Sequence, residues 1–244
     1  MVAFTTSHTA YILICDAGSK RTIMPIEQLF SERDIQNLIN KNFAPPFGQR
    51  NAALIIGAAY WGLTPSELSL LSLESVMDKN GDFFKVWVLP DYVSYTGEAR
   101  ELQTADHILP ILDLYMNWRK SKCLHTSNIS WYRHSDPKSP FFLNDNGDEF
   151  ALSLRKKGTH NYQARSMIDK LKTYIKKAGI SGATPSTFRD SWVKTMYDNG
   201  CQYNELKLIS GIKSKETLDR KIRPQQRELE AVFQDIFRRV KLPK

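Results

Sequence analysis

The sequence predicts an α+β fold that is mainly α-helical and carries a small antiparallel β-sheet. Three observations predict it. Capping signatures mark helix starts at Ser31 and Thr64; apolar residues recur at helical spacing along most of the chain; and one alternating run, FFKVWVLP (83–90), faces a second extended run, RELQT, across the turn TGEA.

In chain order, AYILIC and RTIM flank the turn-prone DAGSK, so residues 1–24 are expected to form an appended β-hairpin. Ser31 and Asp34 open a helix near 32–41 with Ile35, Leu38 and Ile39 on its apolar face. FAPPFG breaks it. The next helix, 48–61, is apolar on most sides and is expected at the centre of the fold. In GLTPSEL, Gly62 closes that helix, Thr64 caps the next, Pro65 sits at its first position and Glu67 completes a capping box. A helix is expected over 105–121, a surface loop over 122–140, and a short strand and turn in FFLNDNGDEF. Helices near 162–178, 186–199, 203–210, 215–222 and 225–240 complete the chain. Trp61, Trp87, Trp118 and Trp192 fall in apolar periodic stretches and are assigned to the core. Residues 25–244 then read as one domain.

Composition narrows the function. No apolar run approaches the roughly twenty residues that span a bilayer, so no membrane partner is expected. Cys15, Cys123 and Cys201 fit neither a disulfide framework nor zinc-ligand spacing, and the five histidines are unpaired. The expectation is no metal or other cofactor, no small-molecule substrate, and a reducing cytoplasm, in bacteria the cytoplasm or nucleoid. The net charge of +8 and a pI near 9.3 favour a polyanion. The charge is also clustered. Residues 151–177 hold eight Lys/Arg against Asp169, and Lys213, Lys215, Arg220, Lys221 and Arg223 stand against Glu216 and Asp219.

The segment RNAALIIGAAYWGLTPSELSLLSLESV (50–76) is similar to the first motif box of the tyrosine recombinase, or phage integrase, family. TPSTFRDSWVKTMYDNGCQYNELKLISGIKSKETLDR (184–220) resembles its second box, and the strand pair between them sits where the family places a lysine-bearing hairpin. The resemblance covers about residues 28–240 and implies the recombinase catalytic-domain fold. It also implies duplex DNA as partner, together with a homo-oligomer or an active recombinase. In the family a tyrosine attacks a DNA phosphodiester, two arginines and a histidine hold the developing charge, and the lysine protonates the leaving oxygen. The family's second, N-terminal helical clamp domain has only about 25 residues available to it here.

Carried over position by position, the resemblance implies that most of that chemistry is gone. The first-box arginine falls on Thr64, the lysine near Ser94 or Tyr95, the histidine that opens the second box on Ser186, the histidine of that box's leucine-glycine-histidine turn on Ile212, and the tyrosine at Arg220 or Lys221. Arg189 alone matches. No tyrosine follows Tyr203, and Tyr197 and Tyr203 read as structural. Arg100 lies further along the hairpin, but a guanidinium is a poor proton donor. Arg189 reads as a phosphate contact, or as a helix-start arginine satisfied by nearby carbonyls. Lys213, Lys215, Arg220, Lys221 and Arg223 read either as a DNA groove or as a solvated face with a Glu216–Arg220 pair. Arg100, Lys156, Lys157, Arg165, Lys170 and Lys172 are the remaining candidate DNA contacts, and SWYRH (130–134) is a weaker stacking candidate.

The expected function is DNA binding by a recombinase fold without strand cleavage, in regulation of, or as an accessory to, mobile-element recombination or transcription. The alternatives are an active recombinase using a non-standard or partner-supplied tyrosine, and a protein–protein adaptor.

Overall fold

The computed structural model describes residues 28–154 and 162–224, and the backbone of two short strands before them, β1 (Tyr11–Ile12) and β2 (Met24–Pro25), which pair antiparallel. The rest of the 1–24 segment, Lys156, Lys157 and the helix expected near 225–240 lie outside the described residues.

The helical frame starts where the caps place it. Helix α1 (Glu32–Asn42) begins at Ser31, whose hydroxyl accepts from the Asp34 N–H while the Asp34 carboxylate accepts from the Ser31 N–H. Helix α2 (Gly48–Tyr60) follows and is buried over most of its surface, including Ala52 to Ala58. It packs on α1, on α4 (Leu109–Ser121) and on α6 (Pro185–Asp198), so it is the axis of the domain. Helix α3 (Pro65–Leu70) repeats the capping box with Thr64 and Glu67.

The predicted sheet is a ladder of β3 (Val86–Leu89) and β4 (Arg100–Gln103). Their burial alternates in opposite phase, so Trp87, Leu89, Arg100 and Leu102 face inward together. A further pair, β5 (Ser153–Leu154) with β6 (Tyr162–Gln163), precedes α5 (Arg165–Lys177), so the expected helix start at 162 moves to Arg165. Helices α7 (Tyr203–Ser210) and α8 (Lys215–Ile222) pack on α6 around a second, smaller apolar cluster of Val193, Leu206, Ile212, Leu218 and Ile222.

FFLNDNGDEF forms a turn but no strand. Phe141, Phe142 and Leu143 are all fully buried, so the two-residue alternation of a strand is lost. The segment is held instead by side chains. Arg119 donates to the Pro140 and Phe141 carbonyls and to Ser139 Oγ at 2.9–3.0 Å, and the Tyr115 hydroxyl donates to the Phe141 carbonyl at 2.7 Å. Trp61, Trp87 and Trp118 are buried as expected, whereas Trp192 is half-buried against the α2–α3 turn.

That contact gives Gly62 two reasons to be glycine. Its φ is +63°, and a Cβ there would stand 2.4 Å from the Trp192 ring. Gly62→Ala should therefore cost about 1–3 kcal/mol, measured as a lower midpoint in urea at unchanged m-value.

Candidate functional site

Both recombinase-like boxes and the hairpin meet at Arg189, near the start of α6. Its Nη2 donates to the carbonyl of Ser210, the last residue of α7. Its guanidinium carbon lies 4.5 Å from the centre of the Tyr95 ring. Tyr95 comes from the β3–β4 connection, is 48% exposed, and donates its hydroxyl to the Gly211 carbonyl at 2.7 Å. The ring is thus fixed to the turn after α7, where Gly211 ends the helix at φ +68°.

Beneath Tyr95 lies a buried ion pair. Arg100 Nη1 is 2.6 Å from Glu67 Oε1, with the two side chains 5% and 0% exposed. Glu67 is saturated with donors: Oε1 also accepts the Tyr95 N–H at 3.1 Å, and Oε2 accepts the Thr64 N–H at 2.8 Å. Burial alone would push its carboxyl up; the Arg100 contact, the Thr64 N–H and the Arg189 charge outweigh burial and hold it below the usual range. Arg100 also donates to Ser94 Oγ at 2.9 Å, and its guanidinium carbon is 5.8 Å from the Tyr95 ring centre.

The residues onto which the resemblance carries the family's other catalytic groups have partners within the fold. Thr64 caps α3. Ser94 and Tyr95 serve Arg100 and Gly211. The Ser186 hydroxyl meets Thr184 Oγ1 at 2.9 Å on the surface. Ile212 is buried in the small apolar cluster. Lys221 Nζ is ion-paired with Asp190, the residue after Arg189. The other tyrosines stand apart. Tyr197 is exposed, and Tyr203 packs on the α6–α8 cluster, where burial and then the Asp219 and Glu216 carboxylates raise its phenol above the usual value.

The candidate cations divide into two groups. Lys170 is tied to Asp145 at 2.7 Å, Lys172 to Asp169 at 3.2 Å and Lys213 to Glu98 at 2.7 Å. Asp145 also holds the buried Arg50 of α2 at 2.7 Å, so that Lys170 is part of the fold's own ionic network. Arg165, Lys215 and Arg220 are exposed and Arg223 half-buried, with no ion-pair or hydrogen-bond partner among the described residues. The Glu216–Arg220 pair weighed from the sequence does not form; Glu216 accepts from the Ser214 hydroxyl instead. In the SWYRH loop, Trp131 is 54% exposed with Lys79 Nζ 5.5 Å from its ring centre.

Two features of this centre escaped the sequence reading: Arg100 as a buried partner of Glu67, and Tyr95 as the aromatic lying against both arginines. The first had a signal, since β4 alternation puts Arg100 in phase with Leu102 and a buried arginine needs a countercharge. A cavity of about 400 Å³, lined largely by apolar side chains such as Phe30, Trp61, Leu102, Trp192 and Met196, includes none of Arg189, Arg100 or Tyr95. Among the described residues no cluster could hold a metal ion, and no helix is long and apolar enough to cross a membrane.

The fold is that of the catalytic domains of tyrosine recombinases and integrases. The chain is similar to XerA recombinase, at 19% identity and a TM-score of 0.62 over 90% of this chain and 67% of that one. It is also similar to XerH site-specific recombinase bound to its palindromic difH substrate in a post-cleavage complex, at 15% identity and 0.58 over 84% of this chain and 52% of that one. The Tn1549 transposon integrase in complex with transposon right-end DNA aligns at 13% identity and 0.56 over 91% of this chain and 68% of that one. The chain therefore spans about half to two thirds of the length of these recombinases. No protein-family model and no curated protein sequence matches it.

Proposed function

We propose that the protein binds duplex DNA through this recombinase-type surface, has lost strand cleavage, and serves as a regulator or accessory factor in mobile-element recombination or transcription. The observation that carries the reading is the fate of the replaced positions. Thr64 is a helix cap, Ile212 is core, and Lys221 is locked to Asp190. Side chains at positions the family uses for charge stabilisation and attack have structural partners here. A missing nucleophile removes the covalent step altogether, whatever else the site retains. The fold's DNA-bound neighbours support binding, as do Arg165, Lys215, Arg220 and Arg223, which have no partner among the described residues.

One observation favours the alternative of an active recombinase: a tyrosine, Tyr95, does stand against Arg189. Incubation with a nicked suicide duplex, followed by a denaturing gel and peptide mapping, decides between the two. Salt-dependent binding with no covalent species is the expected result. A DNA–protein adduct would overturn the loss of cleavage, and mapping it would name the nucleophile. Affinity indifferent to salt would instead favour a protein–protein adaptor.

A further inference from the structure

We infer that Arg100 and Arg189 form a two-guanidinium anion site, and that Tyr95 is the latch that covers it. This deepens the DNA-binding reading and rests on it for the ligand, a backbone phosphodiester. The second arginine of the site comes from the hairpin strand β4 and not from the first box, where Thr64 stands.

Three observations meet here. First, Arg100 is only 7% exposed, yet only its Nη1 is used, by Glu67 and Ser94. Its Nε and Nη2, and Nε of Arg189, are buried donors with no acceptor among the described residues. Buried guanidinium N–H groups without acceptors are costly, and a phosphate oxygen supplies what they lack. Second, Glu67 neutralises only one of the two arginines, so the pair retains one net positive charge toward a ligand. Third, the Tyr95 ring lies within 6 Å of both guanidinium carbons, while its hydroxyl is pinned to the Gly211 carbonyl. Tyr95 nevertheless remains 48% exposed. A side chain so exposed, held at its tip by one hydrogen bond, can swing outward at modest cost.

The closed latch then lowers the apparent affinity for phosphate by the fraction of molecules that are open. Removing the hydroxyl weakens the closed state by about one hydrogen bond without emptying the space the ring fills. The decisive measurement uses the full chain and two probes, a labelled mixed-sequence duplex and inorganic phosphate, with wild type, Tyr95→Phe and Tyr95→Ala, each also carrying Arg189→Gln. Tyr95→Phe should bind both probes roughly three- to tenfold more tightly, and Arg189→Gln should abolish the gain. Circular dichroism and thermal melts check that each variant is folded; Tyr95→Phe keeps the test alive if the alanine variant is not.

Unchanged or weaker binding by folded Tyr95→Phe overturns the latch, and salt-dependent binding of the duplex by wild type would then leave the DNA reading standing. Phosphate affinity that rises as expected, with no duplex binding by any variant, supports the latch and removes the DNA reading. No phosphate binding by any variant removes the anion site, and a phosphotyrosyl adduct on Tyr95 replaces the latch with a nucleophile.

Discussion

Glu67→Gln should destabilise the protein by about 3–5 kcal/mol, because it leaves the Arg100 charge buried without a partner. Glu67 is fully buried and Arg100 nearly so, and the carboxylate also receives the backbone N–H groups of Thr64 and Tyr95. Glutamine keeps the shape and can still accept, but it cannot supply the countercharge. For a chain of this size the loss corresponds to a melting point lower by on the order of 10 °C. Glu67→Gln combined with Arg100→Met should recover much of the loss, since no buried charge is left unpaired and the glutamine amide oxygen can still accept a backbone N–H. A double-mutant cycle in urea measures the coupling, and a cycle energy near zero would mean that the pair opens to solvent. The pH dependence has a definite sign. The folded carboxyl titrates below its unfolded value of about 4.3, so its contribution is present above that pH. It is lost as pH falls through the lower, folded value. Wild type should therefore lose stability on the acid side more steeply than the variant carrying Glu67→Gln and Arg100→Met.

Much of the frame was legible because local chemistry and tertiary position agreed. Ser31–Asp34 and Thr64–Glu67 announce their helices in four residues each, and α2 announces its burial by being apolar all round. FFLNDNGDEF misled because buried consecutive aromatics look strand-like locally. What keeps it irregular is remote, the guanidinium of Arg119 and the hydroxyl of Tyr115 on α4. The site divides in the same way. Aligning motifs singled out Arg189 and Thr64 as positions of interest, and the structure places Thr64 as the cap of α3. The position of Tyr95 could not be read that way, because its ring meets Arg189 only when the hairpin connection folds onto the α6–α7 corner, 94 residues further along the chain (189 minus 95). Pairing of Lys221 with Asp190 likewise depends on α8 packing back across α6.

If DNA lies across the α5 and α8 side of the site, the cations without partners should carry the binding. Lys215, Arg220 and Arg223 are exposed or half-exposed, and none has an acidic partner among the described residues. Each phosphate they neutralise releases counterions. Replacing all three with alanine should therefore lower the slope of log affinity against log salt by nearly 3, at about 0.9 per contact. At one favourable contact each, affinity near physiological salt should fall on the order of a hundredfold. Alanine at Lys170 and Lys213 should do far less, because Asp145 and Glu98 already compensate those charges and an ion pair must open before the DNA gains one. Lys221→Ala should act chiefly on stability, since it strands the largely buried Asp190. Fluorescence anisotropy with one duplex at several salt concentrations reads all of these. Equal slopes for the paired and unpaired sets would mean that the intramolecular ion pairs dissolve on binding, and the charge map of the free protein would no longer locate the DNA.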